Sequence, residues 1–138
     1  MEVRKTAEDY LEAILMIRER QGYVRSVDIA EHLKITKPSV SYSTKRLKED
    51  GYIYMDHASM IFLTEKGMAV ATKIYTRHRV LTDFFTFLGV SPAQAHEDAC
   101  KVEHDLSPET FEALQKHVGP CLLKKEEDAA SAESRKEG

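Results

Sequence analysis

Residues 26–51 read SVDIAEHLKITKPSVSYSTKRLKEDG, two short helical patterns joined by a tight link. Ser26 is expected to cap the first, in which Ile29, Ala30 and Leu33 fall at i, i+1 and i+4 and form an apolar stripe. That helix stops near Lys34. Beyond Ile35, Thr36 is a second cap candidate, and Pro38, with its fixed φ and missing N–H, is tolerated only in a helix's first turn. In this second helix Val40, Thr44 and Leu47 share an inward face at i, i+4 and i+7, leaving Ser39, Ser41, Tyr42, Lys45 and Arg46 mostly outside it. Small hydroxyls near the helix start admit close approach to base edges, Lys45 and Arg46 reach phosphates, and Lys37 adds a further contact. The alternative on this pattern alone is a solvated amphipathic helix.

The residues after Gly51 favour the DNA-reading alternative. Tyr52 to Met55 and Ile61 to Leu63 are rich in β-formers and flank Asp56-His57-Ala58-Ser59-Met60, which reads as a hairpin. A helix-turn-helix with a hairpin after it is the winged-helix arrangement. Thr64 then caps a long helix from about Glu65 to Leu88, ended by Gly89, with Ala69, Ala71, Ile74, Leu81, Phe84, Phe85 and Leu88 as its apolar surface. So much aromatic surface on one helix suits a dimer interface, and a helix-turn-helix protein commonly reads two half-sites. At the other end, the first helix is expected from Thr6 to Arg20, with Tyr10, Leu11, Ile14, Leu15 and Ile17 on its apolar face. Asp9 and Glu12, three apart, project from neighbouring points of it. Asp9 lies three residues after Thr6, where an acid favours a helix N-terminus, so spacing alone leaves this pair open between structure and function.

Ser91-Pro92 opens a helix expected to run to about Asp105. On it His96, Cys100, Glu103 and His104 fall at i, i+4, i+7 and i+8, so two imidazoles, a thiol and a carboxylate share one side. Four such groups are an unusual way to solvate a surface and point to metal binding, with His78 of the preceding helix as a further ligand. Ser107-Pro108 repeats the cap and opens a last helix to about His117, closed by Gly119-Pro120. From Leu123 onward the chain lacks apolar periodicity and is expected to be a disordered charged tail.

A chain of 138 residues with 42% hydrophobic content suits one compact domain or two small ones, not a large enzyme. The net charge of −3 is uneven: residues 1–75 carry +1 and residues 76–138 carry −4, so a DNA-binding face must be local. With no span of roughly 20 apolar residues and no signal-peptide core, a cytoplasmic location is expected. Cys100 and Cys121 make no disulfide framework.

The strings AEDYLEAI, VRSVDIAEHLKITKPSVSYSTKRLKEDGYI, LTEKG, TRHRVL and EDACKVEHDLS resemble the DtxR/MntR family of metal-dependent transcriptional repressors, over residues 5–119. The resemblance implies a homodimeric winged-helix repressor that takes a divalent cation as corepressor, occupies a palindromic operator and controls metal-uptake genes. It also implies that the first helix meets the long and fifth helices at one metal site. Asp9 and Glu12 match the acid pair of the manganese-responsive branch, and His78, Glu103 and His104 match ligands found there. Cys100 matches the iron-responsive branch instead, so the set is a hybrid. Carboxylates suit Mn2+ and a thiolate shifts preference toward Fe2+, Co2+ or Zn2+; Mn2+ is the expected ion and Fe2+ the next. His78 and His96 match two ligands of the iron branch's ancillary site, but Thr82 stands where that site has an acid.

The fold class expected is mainly α. A winged helix-turn-helix DNA-binding domain over 1–72 precedes a helical metal-binding and dimerisation domain over 73–122 and the tail over 123–138. Expected partners are double-stranded DNA and a second copy of the chain, with no membrane and no small organic substrate. Two other classes are open to the residues. One is a winged-helix regulator that senses redox state through Cys100 or another signal without metal. The other is a helical di-metal enzyme, disfavoured because the paired Glu-x-x-His motifs of such bundles are missing.

Overall fold

A computed structural model describes residues 4–118. In order it runs α1 (Lys5–Gln21), α2 (Ser26–Leu33), α3 (Lys37–Glu49), β1 (Ile53–Met55), β2 (Ile61–Leu63), α4 (Glu65–Phe87) and α5 (Pro92–Val102), and residues 108–118 form a last helix, α6. The described chain forms two units that divide between Tyr75 and Thr76, within α4. The expected closing pair Gly119-Pro120, Cys121 and the tail lie outside the described residues.

The first unit is built on α1. Its Leu11, Ile14 and Ile17 are wholly buried and meet Ile29 of α2, Val40 and Leu47 of α3, and Ile53 and Ile61 of the hairpin in one core. Each fully buried aliphatic side chain contributes about 1.5–3 kcal/mol relative to exposure, so α1 is a principal support of α2, α3 and the hairpin. Tyr10 adds a directional tie, its hydroxyl donating to the Ser39 carbonyl of α3 at 3.3 Å. Thr36 caps α3 as expected, accepting from the Ser39 amide at 3.3 Å, with Pro38 in the first turn. Lys34 takes a left-handed φ of 57° between α2 and α3.

Two expected helix starts are corrected. Ser26 is the first residue of α2, not its cap: Arg25 holds that position, and the Asp28 carboxylate accepts from the Arg25 amide at 2.9 Å. A carboxylate at the third helical position that accepts from the cap residue's own amide marks the helix start without a cap hydroxyl. Likewise α1 starts at Lys5 after Arg4, and Glu8 rather than Asp9 lies in its first turn. A helix-dipole role therefore accounts for Glu8 and not for Asp9.

In the hairpin, β1 and β2 pair antiparallel with Tyr54 opposite Phe62, their rings stacked at 5.1 Å between centroids. The Asp56 side chain accepts from the Ala58 and Met60 amides at 2.9 and 3.0 Å and organises the turn. The Ile61 amide donates to the Val24 carbonyl at 2.8 Å, joining the hairpin to the link before α2. Thr64 caps α4 as expected, accepting from the Gly67 amide at 3.1 Å. Gly67 is required there, because a Cβ would stand 1.9 Å from the Tyr52 carbonyl oxygen.

In the second unit Leu81, Ala95, Ala99, Phe111 and Val118 are buried. Ser91 and Ser107 cap α5 and α6 as expected, accepting from the Gln94 and Thr110 amides. α5 ends at Val102 rather than near Asp105, and residues 103–105 continue as a turn. Of the apolar residues expected on α4, Ala71, Ile74 and Leu81 are buried and Phe84 and Phe85 half-buried, whereas Ala69 and, one residue past its end at Phe87, Leu88 are exposed.

Candidate DNA-reading face and metal centre

On α3 the buried positions are Val40, Thr44 and Leu47. Thr44, though polar, is satisfied internally, its hydroxyl donating to the Val40 carbonyl at 2.8 Å. The inward face being occupied, all eight residues expected to meet DNA (Thr36, Lys37, Pro38, Ser39, Ser41, Tyr42, Lys45 and Arg46) are exposed. Thr36 and Ser39 hydroxyls bond each other at 2.8 Å, and the Arg46 guanidinium lies 5.8 Å from the Tyr42 ring centroid. Cations on the later turns and hydroxyls on the first give a surface suited to phosphates and base edges respectively.

The six residues expected to bind metal fall in both units. Asp9 and Glu12 lie on α1 in the first, where Asp9 is half-buried and Glu12 is buried. His78, Cys100, Glu103 and His104 lie in the second, with His96. There the helix face read from spacing is realised: Glu103, just past the end of α5, keeps helical dihedrals (φ −56°, ψ −28°), so it and His96 and Cys100 remain on one winding. Glu103 is fully buried. Its Oε2 stands 2.9 Å from His78 Nδ1 and its Oε1 3.4 Å from His104 Nε2. The other nitrogen of His78, Nε2, stands 2.9 Å from His96 Nδ1. Cys100 Sγ is 3.7 Å from His78 Nδ1 and 3.9 Å from His96 Nε2. Desolvation, and then the neighbouring His78, hold the His96 imidazole below its ordinary range, so its neutral form, the one with a free lone pair, prevails near neutral pH.

A buried carboxylate flanked by imidazoles is costly unless positive charge is near. Nitrogen, oxygen and sulfur donors at these separations fit a divalent transition ion.

Arg77 was not anticipated. It is buried, its Nη1 donates to the carbonyls of Glu103 at 3.1 Å and Leu106 at 2.7 Å, and its guanidinium lies 5.2 Å from the Phe111 ring centroid. Thus it fastens the segment that carries Glu103 and His104. The signal was its spacing: Arg77 lies three residues after Ile74 and four before Leu81, on the buried stripe of α4.

Residues 2–59 match the family of iron dependent repressor N-terminal DNA binding domains, and residues 64–123 match the iron dependent repressor metal binding and dimerisation domain. The chain is 37% identical to the transcriptional regulator MntR of Escherichia coli O157:H7 over 118 residues, covering 83% of this chain and 76% of that one. Among solved structures it is similar to the manganese regulator SloR, with 31% identity and a TM-score of 0.72 over 86% of this chain and 55% of that one. It is similar also to a manganese-dependent transcriptional repressor in complex with manganese, with 30% identity and a TM-score of 0.73 over 82% and 52%. The chain spans about half the length of these two solved structures. With a winged helix-turn-helix unit and a helical metal-binding and dimerisation unit matched in order, the chain belongs to the MntR/DtxR family of metal-dependent transcriptional repressors.

Proposed function

We propose that this chain acts as a homodimeric, Mn2+-responsive repressor, with Fe2+ the next-best corepressor, and that it occupies a palindromic operator upstream of metal-uptake genes. The observation that carries the reading is Glu103, a fully buried carboxylate 2.9 Å from one imidazole and 3.4 Å from another. We assign His78, Glu103 and His104 as ligands, together with Cys100 and, on the strength of the family resemblance and its hard-donor chemistry, the carboxylates of Asp9 and Glu12. A bound cation supplies the positive charge that these carboxylates need in order to lie close together. On its own account the chain buries Glu103, orients His78 by hydrogen bonding and holds the Glu103–Leu106 segment through Arg77. Because the assigned ligands come from the α1-based unit and from the helical unit, metal affinity and operator affinity are linked reciprocally: a tenfold gain in one requires the same gain in the other, about 1.4 kcal/mol of coupling. Dimerisation through the helical unit is supported by the exposed Phe87 and Leu88 at the end of α4. The DNA-contacting residues are assigned as Thr36 to Ser39, Ser41, Tyr42, Lys45 and Arg46, domain boundaries as 1–72 and 73–122, and the location as the cytoplasm; no enzymatic activity is assigned.

The test is fluorescence anisotropy of a labelled palindromic operator at fixed salt, titrated with protein under Mn2+, anaerobic Fe2+, Zn2+ or chelator. Tight binding with Mn2+ and weak binding with chelator is the expected result, and Asp9→Ala is expected to lose the metal response. Binding indifferent to metal overturns the reading. Wild-type metal dependence in Asp9→Ala removes α1 from the site.

A further inference from the structure

We propose that the first unit carries a small-molecule site: a cavity between the start of α1, one side of α3 and the first turn of α4 that takes a planar aromatic molecule bearing a carboxylate or phosphate, and whose occupancy opposes operator binding. The site itself is independent of the repressor reading; only its effect on the operator rests on that reading.

The cavity has a volume of about 730 Å3, within the roughly 300–1,000 Å3 of ordinary small-molecule sites. Its inner wall is apolar. Tyr10 and Leu47 are buried there and Ala7 is half-buried, and the Tyr10 hydroxyl is already engaged by the Ser39 carbonyl, so this tyrosine presents ring rather than oxygen. Its mouth is cationic, with the exposed Arg4, Arg46 and Lys66 facing a single acid, Asp50. Two further rings support these cations: Lys66 Nζ lies 4.3 Å from the Tyr52 ring centroid and the Arg46 guanidinium 5.8 Å from that of Tyr42.

The cations have capacity to spare. Lys66 Nζ donates to the Asp50 carbonyl at 2.9 Å, which fixes its head and leaves two of its three protons. Among the described residues the guanidinium groups of Arg4 and Arg46 have no carboxylate or carbonyl partner. A guanidinium fork matches the two oxygens of a carboxylate or a phosphate, and a cleft lined by one sign of charge concentrates counter-ions. A DNA phosphate reaching the mouth would meet the cations but leave the wall of Tyr10, Ala7 and Leu47 uncovered. An aromatic acid satisfies both, with its ring against the wall and its anion at the mouth.

Arg46 and Tyr42 are also among the residues assigned to DNA, so ligand and operator draw on the same guanidinium. Each therefore weakens the other by the same factor. Release from DNA by this route requires no change at Glu103.

Isothermal titration of the full chain in chelator with 2-naphthoate and 2-naphthyl phosphate tests the site, with 2-naphthol as the ring without the acid and inorganic phosphate as the acid without the ring. Both aromatic acids are expected to bind once per chain, and the two partial probes at least about tenfold more weakly. Arg4→Ala and Lys66→Ala alter exposed side chains, and circular dichroism checks their fold; each is expected to weaken both aromatic acids at least about threefold. In operator anisotropy at saturating Mn2+, saturating 2-naphthoate is expected to raise the wild-type operator Kd at least about fivefold. Failure of both aromatic acids to bind, or binding that withstands both substitutions, overturns the site. Inorganic phosphate binding as tightly as 2-naphthyl phosphate also overturns it, leaving only a subsite for backbone phosphate. An operator Kd indifferent to 2-naphthoate overturns the antagonism. Failure of the repressor reading is a separate event, scored by operator binding indifferent to Mn2+ with no aromatic acid present.

Discussion

Replacing Arg77 by methionine keeps most of the stem's packing and deletes the guanidinium. Two charge-assisted hydrogen bonds disappear, to the Glu103 carbonyl at 3.1 Å and the Leu106 carbonyl at 2.7 Å, along with the contact over Phe111. Such bonds contribute about 1.5–3 kcal/mol each, and the aromatic contact about 1 kcal/mol. Against this, a buried cation no longer has to be stripped of water, which returns a few kcal/mol. The carbonyls decide the sign, because methionine offers them no donor and the segment that bears them must loosen to reach solvent. A net loss of about 3 kcal/mol is expected, lowering the Tm by roughly 10 °C for a chain of this size. Since the loosened segment carries Glu103 and His104, Mn2+ affinity is expected to fall at least about tenfold. Calorimetric melting with and without Mn2+ measures both. Arg77→Lys, with one donor head in place of the fork, is expected to lie between the two. An Arg77→Met protein that melts within about 1 °C of wild type would refute the role given to this side chain.

Gly67→Ala sets a helix-propensity gain of about 1 kcal/mol against a Cβ placed 1.9 Å from the Tyr52 carbonyl, which is itself engaged by the Thr64 amide. Backbone must move, so urea denaturation is expected to show a net loss of about 2 kcal/mol or more. At Asp28, burial opposes ionisation, but hydrogen bonds from the Arg25 side chain and amide, and the Arg25 charge, outweigh it and hold the carboxyl below its ordinary range. A depressed carboxyl stabilises the fold above its unfolded pKa of about 4 and stops doing so as pH falls through the lower folded value. Asp28→Asn is therefore expected to be less stable than wild type at neutral pH and to converge with it in acid; a constant gap across the acid titration would contradict that. Lys45→Ala and Arg46→Ala are each expected to reduce the slope of log K against log salt for operator binding by about 0.9 per protomer, and an unaltered slope would remove that residue from the phosphate contacts.

Much of this fold is legible before any coordinates, and for local reasons. Thr36 and Pro38 declare the start of α3 because a cap hydroxyl and a proline are compatible with few other positions, and the stripe of Val40, Thr44 and Leu47 then determines which side chains remain outside. Ser26 misled because a serine at the head of a helical pattern reads as its cap, whereas here the Asp28 carboxylate accepts from the Arg25 amide and the helix starts one residue earlier. The alignment of His96, Cys100 and Glu103 on one winding was readable from period alone. Which imidazole nitrogen faces which partner was not, since it depends on where α4 presents His78 to the end of α5, a tertiary fact. Arg77 stayed hidden because a charged residue on an apolar stripe is read as a boundary rather than as a donor to carbonyls 26 and 29 residues away. Asp9 and Glu12 owe their assignment to family resemblance, as their spacing on α1 carries no chemistry by itself.

The bond from the Ile61 amide to the Val24 carbonyl leaves the hairpin on the side away from β1, so the register of β2 is pinned twice, once by its partner strand and once by the link before α2. The five residues from Asp56 to Met60 are held by neither anchor and are organised around Asp56, whose side chain accepts from the Ala58 and Met60 amides and whose backbone bonds Ser59 and Met60. Insertions at His57 to Ser59 therefore lengthen the tip without shifting the strands, whereas an insertion between Met60 and Ile61 must break one anchor or the other. Variation among related chains, or a designer seeking a longer reach along a DNA backbone, has freedom at the tip and almost none at its base.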